Sequence, residues 1–269
     1  MLSIHILTVC NPDTNPFPPE GGQNKPTPEP TPEIPAEQLR SIIEVDTRCE
    51  WDISVGRIDL FVYGNILREH RVYDCPQDSV WIFAERGEAV RIVAIANAFG
   101  SFNEEALRHY DAWGGLELNL REEDPSRPIM GGTCGLTAGE DCRIEISPLM
   151  CAIEIRSIEQ FSLWDSVLHN PRAWLENAGS RGYLFHDGIQ PSKDPVATQV
   201  RQLPYDIGRY TQYPGILMYC YPNETAAGPA NPALEVVIEY EKNGTTLQYR
   251  EEVHPVLRGS RTPLDIVIR

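Results

Sequence analysis

The chain has 269 residues, a formal net charge of −16 and a hydrophobic content of 41%. That is enough apolar material for a sizeable core and enough length for one large or two ordinary domains. Its 39 acidic residues against 23 basic ones, with no basic cluster, exclude a nucleic-acid-binding surface, and no apolar run approaches the roughly 18 residues that cross a bilayer.

Met1 to Cys10 is a short apolar run ending in cysteine. Its Leu7-Thr8-Val9-Cys10 resembles the Leu-x-x-Cys box at which bacterial lipoprotein signals are cut. On that likeness the Cys10 sulfur carries a lipid, and the product is exported and anchored. An ordinary N-terminal cysteine is the alternative. Nine prolines follow between Asn11 and Glu37. Each removes a backbone donor and fixes φ, so residues 11–39 read as a polyproline-like tether reaching about 3 Å per residue.

From Arg40 onward the pattern is β. Ile58, Leu60 and Val62 alternate with Asp59, Phe61 and Tyr63, and Gly64-Asn65 predicts a hairpin turn. Val80–Phe83 is a further strand, and the nearly all-apolar Val90–Ala96 predicts a central one. Ser101-Phe-Asn-Glu104 is a capping box that predicts a helix to about Tyr110. Gly131 to Gly135 reads as a turn. Asn170-Pro171 and Gly179 predict a second helix over Arg172–Ala178. Leu234, Val236, Ile238 and Tyr240 alternate with polar residues up to Asn243-Gly244, the strongest local hairpin signal. Leu264, Ile266 and Ile268 close the chain with period two. Short strands with minor helix indicate an all-β protein of two tandem sandwiches, residues 40–147 and 148–269.

Chemistry is sparse. Cys49, Cys75, Cys134, Cys142, Cys151 and Cys220 form an even set that an oxidising compartment can pair. Cys134 with Cys142 is the candidate small-loop disulfide, and free buried thiols are the alternative. The sequence contains no Cys-x-x-Cys and its six histidines are scattered, so neither metal nor cofactor is expected. Asp165, Ser166 and His169 bring three catalytic residue types together. On a helix, however, neighbours point about 100° apart and cannot form a triad. A non-enzymatic protein is expected. Trp51 and Trp113 are read mainly as core.

Four landmarks, in order, resemble the fimbrillin superfamily, the type V pilus proteins of Gram-negative anaerobes. They are the lipoprotein-like start with its spacer; Ile58-Asp-Leu-Phe-Val-Tyr-Gly-Asn65 with Val90–Asn97; Pro128-Ile-Met-Gly-Gly132 with Leu149-Met-Cys-Ala-Ile-Glu-Ile155; and Tyr219-Cys-Tyr-Pro-Asn-Glu224. The resemblance spans about residues 40–269. The basic residues of the family's strand at 149–155 are replaced by Leu149 and Ile153, which leaves the subfamily open.

The resemblance implies two transthyretin-like sandwiches and a place in a fimbrium at the outer membrane. Its partners would be other fimbrial subunits and a ligand on a host or bacterial surface. In stalk members an arginine-specific protease removes the first strand, and a neighbour's strand fills the groove. Arg40 is the first candidate cleavage position and Arg48 the second. With the sequence ending after its last strand pattern, a lipid-anchored anchor or accessory subunit is expected. The alternative is a surface glycan-binding lipoprotein of a polysaccharide-uptake system.

Overall fold

Alternating apolar and polar residues become strands almost throughout the computed structural model, which describes residues 38–74, 79–98, 100–161, 166–185, 192–194, 200–222, 232–253 and 256–269. Cys10, residues 11–37 of the tether, Cys75 and Asp165 lie outside them, and Gln38 and Leu39, expected to end the tether, instead open a strand. The strands are β1 (Gln38–Thr47), β2 (Ile58–Tyr63), β3 (Leu67–Tyr73), β4 (Ser79–Glu85), β5 (Ala89–Ala96), β6 (Glu117–Asn119), β7 (Met130–Thr137), β8 (Cys142–Pro148) and β9 (Cys151–Gln160). Then come β10 (His169–Glu176), β11 (Ala178–Tyr183), β12 (Ser192–Asp194), β13 (Arg201–Gln202), β14 (Tyr210–Cys220), β15 (Glu235–Lys242), β16 (Thr245–Glu252) and β17 (Arg261–Ile268). Among the described residues the one helical element is a 3₁₀ turn, Tyr110–Gly115.

The first sheet has the order β3-β2-β5-β7-β8-β1-β4. Its β7 and β8 pair only at Met130↔Pro148 and Gly131↔Ser147, and there it folds into two layers. Leu60, Val62, Ile92 and Ala94 of one layer meet Ile43, Ile82, Ile144 and Ile146 of the other in a single core. Every residue of β2 is buried because its outer face is covered as well: Phe61, Tyr63, Val93 and Ile95 pack beneath Trp113. The Trp113 indole N–H donates to the Tyr63 hydroxyl at 2.9 Å, which donates to the Leu107 carbonyl at 2.8 Å.

That cover replaces the helix expected over Ser101–Tyr110. The segment is turns followed by the 3₁₀ element, and Asn103 rather than Ser101 caps it, accepting from Ala106 N–H at 3.3 Å. Ten residues are too few to hold a helix without a packed face, and packing drapes Phe102, Leu107 and Trp113 across the sheet instead.

A second pair of layers, β13-β10-β15-β16 and β14-β9-β17, encloses Ile153, Ile155, Ile158, Ala173, Leu175, Val236, Ile238 and Ile266. The helix expected over Arg172–Ala178 is β10. Pro171, Ala173 and Leu175 are buried while Arg172 is exposed, with only the large Trp174 departing from the alternation, so a period of two prevails over the Asn-Pro cap signal. Asn170 takes a positive φ of 53° at a register shift between His169 and Arg172, which absorbs the proline at a bulge. Asn243-Gly244 turns β15 into β16 with φ of 52° and 76°, the type I′ geometry its sequence predicts.

The two sets of layers share a cluster built from Trp51, Leu118, Leu149, Met150, Leu184 and Tyr221, and β6 pairs with β11. Trp51 and Trp113 are both buried, as core residues. In that region the Tyr221 hydroxyl donates to the Glu123 carboxylate. Burial raises the Glu123 carboxyl above its ordinary value of 4.5, partly offset by the bonds it accepts from Tyr221 and Ile129. A raised folded-state pKa means the native state holds the proton more tightly than the unfolded chain. Glu123 therefore contributes stability below about pH 4.5 that is lost as pH rises through its folded value. Glu123→Gln is expected to flatten that loss, which urea titrations between pH 4 and 8 would measure.

Gly131 to Gly135 lie within β7, not in a turn. A Cβ at Gly132 would collide with the Glu145 carbonyl oxygen, and one at Gly131 would come 2.7 Å from Leu184 and Phe185. Gly132 thus permits the close approach of β7 and β8 at the fold between layers, and Gly131 that of Leu184 and Phe185. Gly132→Ala is expected to cost about 1–3 kcal/mol, as overpacking does, read as a lowered urea midpoint.

Candidate functional site

The position of β1 decides what the fold can do. Its first half pairs antiparallel with β4, from Gln38↔Glu85 to Glu44↔Ser79. Its second half pairs parallel with β8, from Ile43↔Cys142 to Thr47↔Ile146. In the sheet order β4 is reached only through β1. Leu39, Ile43 and Val45 pack into the core from one side, and Ser41 on the same side is fully buried. Arg40, Ile42 and Glu44 point outward.

A loop grips this strand. Gly139 N–H donates to the Ser41 hydroxyl at 3.0 Å, and the Asp141 carboxylate accepts from Ile42 N–H at 2.8 Å. Gly139 has a φ of +92°, and its Cα lies against Leu39 so closely that a Cβ would sit 2.9 Å from Leu39 Cδ1. A disulfide joins Cys134 to Cys142 across the base of this β7–β8 connection. It closes the loop where the two strands have stopped pairing.

The two arginines differ in placement. Arg40 is an interior rung of the β1–β4 ladder, opposite Phe83. Arg48 comes immediately after β1. Its N–H donates to the Ile146 carbonyl at 2.8 Å, and its guanidinium, 65% exposed, pairs with Glu145 at 2.8 Å. The free edge of β4 is guarded: Arg71 of β3 donates to the Trp81 carbonyl at 2.7 Å and lies over the Trp81 ring at 5.3 Å. A capped edge resists unwanted strand addition.

A buried charged cluster went unread in the sequence. Asp59, fully buried, accepts two bonds of 2.7 Å from Arg57 and lies 2.8 Å from His70 Nε2. The His70 Nδ1 faces Glu104 at 2.9 Å, and the ring stacks on Phe61 at 4.1 Å. Arg57, Asp59 and Phe61 are near neighbours; the β2–β3 register, which pairs Phe61 with His70, brings in the histidine, and the turn segment after Ser101 supplies Glu104. His169 opens β10 and lies 2.7 Å from Asp206, so the helix face imagined for it does not exist. No group of His, Cys, Asp and Glu among the described residues is arranged to hold a metal. The aromatic pair on β4, Trp81 and Phe83, meets at 62°, an edge contact rather than the flat platform on which a sugar ring stacks.

By sequence, no family model matches the chain and no curated protein does. Its architecture is similar to solved structures. A candidate cell adhesion protein of Bacteroides eggerthii is 13% identical with a TM-score of 0.57, over 87% of this chain and 88% of that one. A fimbrilin of Porphyromonas gingivalis is 11% identical with a TM-score of 0.57, over 80% of each chain. A fimbrial assembly protein of Parabacteroides distasonis is 11% identical with a TM-score of 0.51, over 85% of this chain and 90% of that one. The chain has a fimbrillin-like all-β sandwich fold.

Proposed function

We propose that the chain is a non-enzymatic subunit of a bacterial surface fibre, made as a lipid-anchored precursor and joined to its neighbours by strand exchange at the position of β1. The seating of β1 carries this reading. A ten-residue strand supplies one flank of a core, holds β4 on the sheet, and passes into the body through the exposed Arg48. The fimbrillin-like fold supports it.

While β1 is in place the groove is filled, the form suited to an anchor or accessory position. Cleavage after Arg48 parts the body from a lipid on Cys10. Once β1 leaves, a slot opens between β8 and β4. An incoming strand with alternating apolar residues fills the core and satisfies both ladders. Arg40 serves this less well, because a cut there leaves Ser41–Thr47 in the slot. On this reading residues 40–147 are the strand-accepting domain and 148–269 the second domain. The partners are other fibre subunits and the outer membrane.

Mass spectrometry of the protein from its native outer membrane tests the proposal. An acylated Cys10 on an intact chain marks the anchored form, and a terminus at Cys49 marks the strand-accepting form. A terminus at Ser41 would sink the groove-opening role of Arg48. A cytoplasmic chain still beginning at an unmodified Met1 would sink the whole reading.

A further inference from the structure

We propose that Cys151 and Cys220 close as a second disulfide, a covalent clamp across β9 and β14. The two are direct cross-strand partners in an antiparallel pair. Both are fully buried, and their sulfurs lie 3.5 Å apart. Directly opposed residues in such a pair have Cα atoms about 4.5–5.5 Å apart, inside the roughly 4.4–6.8 Å that a disulfide accepts. Closure therefore needs side-chain rotation and no backbone movement. The same chain carries the Cys134–Cys142 disulfide, and an oxidant that closes it can reach Cys151 and Cys220 as well before folding buries them.

The oxidant is a disulfide reagent, such as oxidised glutathione or an exported thiol–disulfide oxidase. One cysteine thiolate attacks it, forming a mixed disulfide and releasing one reagent thiol. The second cysteine thiolate displaces the other reagent thiol. Two protons and two electrons leave the protein, and the reagent is reduced to two thiols. Burial pushes the Cys151 thiol well above its ordinary value, which makes it a poor nucleophile in the finished core. The bond thus forms as β9 and β14 first meet. It then pins their register beyond the irregularity between Gln212 and Ile216.

To test this, the full chain is denatured, reduced and refolded in a glutathione redox buffer. It is then denatured with iodoacetamide and digested without reductant. The expected result is one linked species holding Cys151 and Cys220, lighter by two hydrogen atoms than the separate peptides, with neither cysteine alkylated. In Cys220→Ala, Cys151 should instead carry the alkyl group while Cys134 and Cys142 stay linked. Recovery of both Cys151 and Cys220 alkylated from refolded wild-type chain overturns the proposal, whether or not Cys134–Cys142 has closed. So does linkage of Cys151 to Cys49 or Cys75.

Discussion

Replacing Ile43 by alanine should lower the unfolding free energy by about 2–5 kcal/mol, the usual cost of emptying a well-packed isoleucine site. Ile43 is fully buried and packs among the residues of the first core. The adjacent Ile42 points outward and is 37% exposed, so Ile42→Ala should cost about 0.5 kcal/mol or less. Urea denaturation of the two variants separates strand packing from general strand propensity. The same contrast should reappear in trans. A synthetic peptide spanning Gln38–Arg48, added to protein cut after Arg48, should refill the slot. Its Ile43→Ala version should bind some tens- to thousands-fold more weakly, since each 1.4 kcal/mol is about tenfold. If the two peptides bound equally, β1 would not be the exchangeable element.

Asp59→Asn should be the other costly change, at about 2–3 kcal/mol. Breaking a buried ion pair by removing one partner typically costs about 3–5 kcal/mol. The estimate is reduced here because the Arg57 side chain keeps 30% exposure and so part of its hydration. The loss would come from stranding Arg57 and His70, both aimed at one carboxylate. A double-mutant cycle with His70→Gln checks this. Coupled residues show interaction energies of about 0.5–3 kcal/mol, so strict additivity would mean that the two groups do not depend on each other.

Much of the strand content was legible because it rests on local pattern. Asn243-Gly244, the alternation in β15 and the apolar run of β5 each state their structure within a few residues. The errors have a common origin: a local signal was overridden by tertiary pairing. Asn170-Pro171 looks like a helix start until β13 and β15 flank it. Gly131 and Gly132 look like a turn until Glu145 and Leu184 occupy the space a side chain would need. Within the site, Arg40 is the first cleavage candidate by sequence because it directly precedes the apolar-rich Ser41–Val45 run. Seen in the fold, β1 begins at Gln38 and stops at Thr47, which moves the exposed end of the strand to Arg48. Ser41 hides that register, since a serine occupies a core-facing position. The Asp59–His70–Glu104 cluster had no sequence signal, because the β2–β3 register brings Asp59 to His70 and the turn segment after Ser101 adds Glu104.

The parallel pairings carry a mechanical consequence. β1 lies parallel to β8, β8 passes through Leu149 and Met150 directly into β9, and β17 lies parallel to β9. Tension applied at Gln38 against Ile268 therefore travels along two parallel ladders joined by a two-residue link. In each ladder the pull enters at the start of one strand and leaves at the end of the other. All the rungs are then loaded in shear together instead of unzipping one by one. The remaining strands hang off this line and bear little of the load. The topology makes the body stiff to tension between these two points while β1 is seated.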